Sequence, residues 1–120
     1  MHLFVRSACA VLAILCASAA SAAPRAESAV ECGIAADMAI VAHSLAKEQV
    51  VRAKAESIMT RIYDVSESER GKALMKDILD AAYVPTAAAG GTTSQRFAED
   101  LFATCMKSGG NMDAVLGRKL

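Results

Sequence analysis

Residues 30–65 read VECGIAADMAIVAHSLAKEQVVRAKAESIMTRIYDV. Val30, Ile34, Met38, Val41 and Leu45 recur at four- and three-residue steps, the apolar stripe of an amphipathic helix. Val51, Ala55, Ile58, Ile62 and Val65 repeat the pattern. The two stripes do not join in phase, because helical spacing continued from Leu45 puts Glu48 or Gln49 into the core. The chain is therefore expected to break or kink sharply near Ala46–Gln49, although no Gly or Pro marks the spot. Two helices rather than one long rod set the count for everything downstream.

Beyond this stretch, Asp64-Val65-Ser66 ends the second helix. Ser66-Glu67-Ser68-Glu69 has the spacing of a capping box, with Ser66 accepting from the Glu69 amide. Leu74, Ile78, Leu79 and Ala82 line a third helix, and Tyr83-Val84-Pro85 closes it, since a residue before Pro avoids helical geometry. Residues 86–93 read as an Ala-Gly-Thr loop, with Thr92-x-x-Gln95 as a second capping candidate. Phe97, Leu101, Phe102 and Cys105 form the last stripe, and Gly109-Gly110 stops it. The predicted helices span about 28–45, 49–64, 67–83 and 94–107. This is an all-α chain, expected to be a small four-helix, up-down bundle-like domain.

Upstream, Met1 to Arg6 carries one positive charge, and Ala8 to Ala17 is an uncharged run of about ten residues, the length of a signal-peptide core and too short to span a bilayer. Ala20-Ser21-Ala22 satisfies the small-x-small rule of signal peptidase, which places the cut after Ala22; a cut after Ala23 is disfavoured by Pro24. Leu15 before Cys16 makes a poor lipobox. No later segment is expected to approach the ~18 apolar residues of a transmembrane helix. The domains are then 1–22, a signal peptide, and 23–120, one helical domain, with a periplasmic or secreted destination.

Processing leaves 98 residues with twelve basic and thirteen acidic side chains. That balance gives no electrostatic case for nucleic acid or an anionic membrane, and stable membrane insertion is not expected after processing. The mature chain has no Trp, so its core is built from Ile, Leu, Val, Met and Ala, which suits helix packing. Cys9 and Cys16 leave with the leader. Cys32 and Cys105 remain as one pair in an oxidising compartment, where a single intramolecular connectivity exists. Cys32 near the start of the first helix and Cys105 near the end of the fourth meet in an up-down-up-down arrangement. They lack Cys-x-x-Cys spacing, which argues against a redox-active pair.

The chemistry on offer is sparse. His43 is the sole mature histidine and is expected at a surface or boundary position. Asp77 and Asp80 share a face but read as solvated, as do Arg52, Lys54 and Arg61. Ser44, Ser57 and Ser94 sit in no nucleophile elbow, and Gly90-Gly91 is no phosphate loop. No catalytic residue, metal ligand or cofactor is expected, and the chain is not read as an enzyme. Tyr63 and Tyr83 each close an apolar helix, either as partner-binding aromatics or as boundary tyrosines with packed rings and solvated hydroxyls. Met38, Met59, Met75 and Met106 fit ordinary core spacing better than an adaptable groove.

Glu31-Cys32-Gly33, Ile58-Met59-Thr60-Arg61-Ile62-Tyr63, Ile78-Leu79-Asp80-Ala81-Ala82-Tyr83 and Phe102-Ala103-Thr104-Cys105 give the mature chain a layout that resembles small secreted helical proteins of proteobacteria, which carry cysteines in the first and last helix. The resemblance covers most of the mature chain and implies periplasmic residence and a cysteine bridge. It implies no activity. In architecture alone the chain is also similar to periplasmic acid-stress chaperones. The expected role is an interaction protein with an envelope partner (an inhibitor, adaptor or envelope-stress factor), the alternative a binder of apolar ligands or unfolded clients.

Overall fold

A computed structural model describes residues 24–64, 68–84 and 91–117. Five helices follow in order: α1 (Ala29–Lys47), α2 (Arg52–Tyr63), α3 (Glu69–Tyr83), α4 (Ser94–Lys107) and the short α5 (Asp113–Leu116), with no strand among the described residues. The expected cleavage residues Ala20, Ala22 and Ala23 lie outside the described residues, as does Ser66.

The chain breaks after Lys47. Gln49 takes a left-handed conformation at φ 63°. The Val50 amide donates to the Leu45 carbonyl and the Gln49 amide to that of Ala46, both at 3.0 Å. These are the two bonds of a Schellman motif, which satisfies the orphan carbonyls of the helix end. Glutamine occupies the position that glycine usually fills, so no breaker residue announces the turn. The other caps sit slightly off the expected places. Ser68, not Ser66, caps α3 by accepting from the Gly71 amide, and Thr93, not Thr92, caps α4 by accepting from the Arg96 amide. Neighbouring hydroxyl residues compete for the cap, and the winner is the one at which tertiary packing starts the first turn.

α1 is the hub. It packs most extensively on α4, then on α3 and α2; α2 also touches α3, while the backbones of α3 and α4 do not come close. Cys32 near the start of α1 meets Cys105 near the end of α4, and the late His43 meets Ser94 at the start of α4, so these helices are antiparallel. The Sγ atoms of Cys32 and Cys105 lie 2.03 Å apart, a disulfide pair closing 73 residues of sequence separation. Such a bridge fits an oxidising compartment.

The hub position corrects the expected stripe of the first helix. Its buried face is Cys32, Ala35, Met38, Ala39, Ala42 and His43, whereas Val30 is 72% exposed and Ile34 42%. Small side chains allow α4 to approach closely and seat Phe97, Leu101 and Cys105 against α1. Side-chain size misled the sequence reading, because a helix touched from several sides needs its smallest residues where the approach is closest. α2 shifts similarly: Ala55 and Met59 are buried, and Val51 and Ile62 are exposed. On α4, Ala98 takes the buried place expected of Phe102. A further correction concerns length: α1, with few charges and many alanines, is long and apolar enough to cross a membrane by length and composition.

Candidate functional site

α1, α2 and α3 leave a cleft of about 200 Å³ between them. Its floor is Ile34 and Met38 from α1 and Leu74 from α3. The outward rotation of α1 places Ile34 here instead of in the core, with Val30 one turn earlier on the same helix. Tyr63, the last residue of α2, forms part of the wall. Its hydroxyl donates to Asp37 Oδ2 at 2.6 Å, tying the end of α2 to the middle of α1. Burial, followed by this bond to a carboxylate, pushes the Tyr63 phenol well above its ordinary value.

The rim is ionic. Arg70 in the first turn of α3 donates to Glu31 Oε2 at 2.6 Å and pairs with Glu27 at 3.2 Å. The Arg70 hydrogen bond, with the Glu27 backbone amide second, holds the Glu31 carboxyl below the usual carboxylate range, and Glu31 in turn raises Arg70. Arg25 borders the same cleft from a buried position. Its Nε donates to Asp77 Oδ2 at 2.9 Å, one terminal nitrogen to Asp113 Oδ1 at 2.6 Å, and the other to the Gly117 carbonyl at 2.8 Å. These partners lie 52 to 92 residues away in sequence, so no local spacing signals the cluster.

Tyr83 stands elsewhere. Its hydroxyl donates to the Val50 carbonyl at 2.6 Å and holds the end of α3 against the α1–α2 turn. Burial raises its phenol, with the Arg52 charge working in the opposite direction. The hydroxyls of both tyrosines thus have protein acceptors. Asp77, read as solvated, instead binds the buried Arg25, whereas Asp80 remains half exposed while pairing with Arg52.

His43 is corrected as well. It is 3% exposed, on the alanine face, with its ring centroid 5.5 Å from that of Phe97. Its Nδ1 lies 2.7 Å from Ser94 Oγ, to which Ser44 Oγ donates at 3.2 Å. The imidazole thereby joins the last turns of the hub to the N-terminus of α4, a packing role that needs no reaction. Among the described residues, no group of three or more His, Cys, Asp or Glu side chains is arranged to hold a metal ion.

Sequence reasoning singled out Tyr63 and rightly assigned Met38 and Leu74 to the core, whose outer edge forms the cleft floor, but it also placed Ile34 in the core and gave Arg70 no role. The available signal was the surplus of large aliphatic residues on the first helix: Val30, Ile34, Ile40 and Val41 exceed what one stripe can bury. No protein family, curated protein or solved structure matches this chain.

Proposed function

We propose that the chain is an exported, disulfide-held helical interaction protein that works in the periplasm or outside the cell and binds an envelope protein at the α1–α2–α3 cleft. The signal peptide, the four-helix up-down bundle and the kinship with small secreted proteobacterial proteins belong to this proposal. So do the absence of enzymatic chemistry and of stable membrane insertion after processing. The supporting observation is the cleft: an apolar floor of Ile34, Met38 and Leu74 under an ionic rim, continued by the exposed Val30.

Size favours a protein partner over a free apolar ligand. Enclosed small-molecule sites run about 300–1,000 Å³. This open cleft of about 200 Å³ suits one large anchoring side chain from a protein surface. The mixed rim then offers Arg70 and Glu31 as polar contacts around a dry centre.

The test is site-specific photo-crosslinking in intact cells. A photo-reactive phenylalanine analogue replaces Val30, beside the cleft, or Ala103, exposed on α4. A saturable adduct of defined mass at Val30, absent at Ala103 and removed by Ile34→Glu, is the expected result. Equal adducts at both positions, or an adduct indifferent to Ile34→Glu, would refute the cleft as the binding surface.

A further inference from the structure

The stretch immediately after the expected cleavage point is built into the fold. Arg25 is 6% exposed and Ala26 1%. Arg25 binds α3 through Asp77, α5 through Asp113, and the chain beyond α5 through the Gly117 carbonyl. Ala26 donates to the Gly110 carbonyl, just past α4. The contact at Gly110 is tight: a Cβ added there would lie 1.9 Å from the Ala26 carbonyl oxygen and 3.2 Å from Pro24 Cβ. Glu27 pairs with Arg70, and Glu31 accepts from the Glu27 amide. Residues 24–27 therefore act as a strap reaching α3, α5, and the one end of the α1–α4 pair where the start of α1 meets the end of α4.

From this placement we infer that the strap orders maturation: the leader is removed before the strap docks, and the folded domain shields its own processing site. The inference rests on the export reading above. Peptidases grip their substrates as extended chain along a binding groove. Three residues of fully extended chain reach at most about 10 Å. By chain length alone, the Ala22–Ala23 bond is separated from the buried Arg25 by no more than that, and on the export reading it must be presented to a membrane-bound peptidase. A docked strap brings the bulk of the domain against the enzyme. An undocked strap leaves Ala23-Pro24-Arg25-Ala26 free to extend. Once cut, the new N-terminus begins two residues before the arginine clamp.

The experiment uses the full 120-residue chain in detergent micelles with purified signal peptidase, and the product is read by intact mass. Each chain is diluted from urea directly into enzyme, or is first allowed to fold and oxidise. A comparison chain carries a Gly/Ser spacer between Ala23 and Pro24, which moves the bond away from the domain and leaves the strap intact. The pre-folded natural chain should be cut about a hundredfold more slowly than the pre-folded spacer chain, reflecting the rarity of opening a buried, ion-paired arginine. Both should be cut alike when diluted from urea. Arg25→Ala, which removes the clamp, should restore cleavage of the pre-folded chain. Equal rates for the two pre-folded chains would overturn the ordering while leaving the export reading standing. If no chain is cut at Ala22–Ala23 in either state, the export reading falls, and the ordering falls with it.

Discussion

Gly109 and Gly110 offer a controlled comparison of backbone strain with steric displacement. Both have positive φ, 61° and 93°. Alanine at either position bears the left-handed penalty of an L-residue, about 1 kcal/mol. Open space surrounds Gly109, whereas a Cβ on Gly110 meets backbone, the Ala26 oxygen at 1.9 Å and the Ala26 carbonyl carbon at 2.8 Å. No flexible side chain can swing aside, so the strap itself must lift. Arg25 then leaves with it, and no charge is stranded in the interior. Asp77 and Asp113 are already partly open to water and rehydrate. The loss therefore lies at the low end for buried charge-assisted bonds, about 2 kcal/mol, plus about 0.8 kcal/mol for the Ala26 methyl. Gly109→Ala should destabilise by about 1 kcal/mol and Gly110→Ala by about 4 kcal/mol. Urea unfolding of the oxidised chain beginning at Ala23 measures both. Trypsin provides a second readout, since only the lifted strap exposes the Arg25–Ala26 bond. If the two variants agree within about 0.5 kcal/mol and that bond stays protected in both, the strap is not held as described.

Three further outcomes are expected. Replacing both Cys32 and Cys105 by serine releases a loop of 73 residues' separation, worth about 4 kcal/mol in loop-closure entropy, and should lower the melting temperature by more than 15 °C, by the rule of roughly 4–8 °C per kcal/mol; a shift under about 4 °C would argue against a structural staple. Gln49→Gly relieves a left-handed glutamine at the end of α1 and should stabilise by about 0.5–1 kcal/mol in the same urea assay, where no gain would mean that the turn is relaxed elsewhere. Tyr63→Phe should destabilise by about 1 kcal/mol at neutral pH. The folded phenol titrates above its ordinary value of 10.0, so its contribution is complete below that pH and disappears as the pH rises toward the folded value. The gap between wild type and Tyr63→Phe should therefore narrow above pH 10, and a constant gap would contradict the bond to Asp37.

Several elements could be read from local pattern because local physics decides them. The phase conflict between the stripes ending at Leu45 and beginning at Val51 required a break, and the chain turns at residues 48–51. Gly109-Gly110 stopped α4 because left-handed geometry there favours glycine. The cysteines could be paired by elimination once Cys9 and Cys16 were assigned to an expected leader, and Cys32 and Cys105 do pair. What could not be read were quantities that depend on who packs against whom. Periodicity locates a stripe on a helix but does not rank its two flanks. The alanine face of α1 became the core because α4 must approach it closely, and this moved Ile34 to the cleft and His43 to the interior. Likewise, Ser68 and Ser66 are interchangeable as caps until α3 is positioned.

The amino-acid sequence by itself determined an all-helical chain, the break that makes α1 and α2 separate helices, and one cysteine pair, since each follows from residue type and short-range spacing. Only the tertiary structure decided that α1 is the hub, that Tyr63 walls a cleft while Tyr83 braces a turn, and that Arg25 clamps the strap. Those outcomes depend on groups 26 to 92 residues apart meeting in space. Hydrogen bonds and ion pairs at that separation leave no periodicity in the chain, because their partners are selected by how the helices stack.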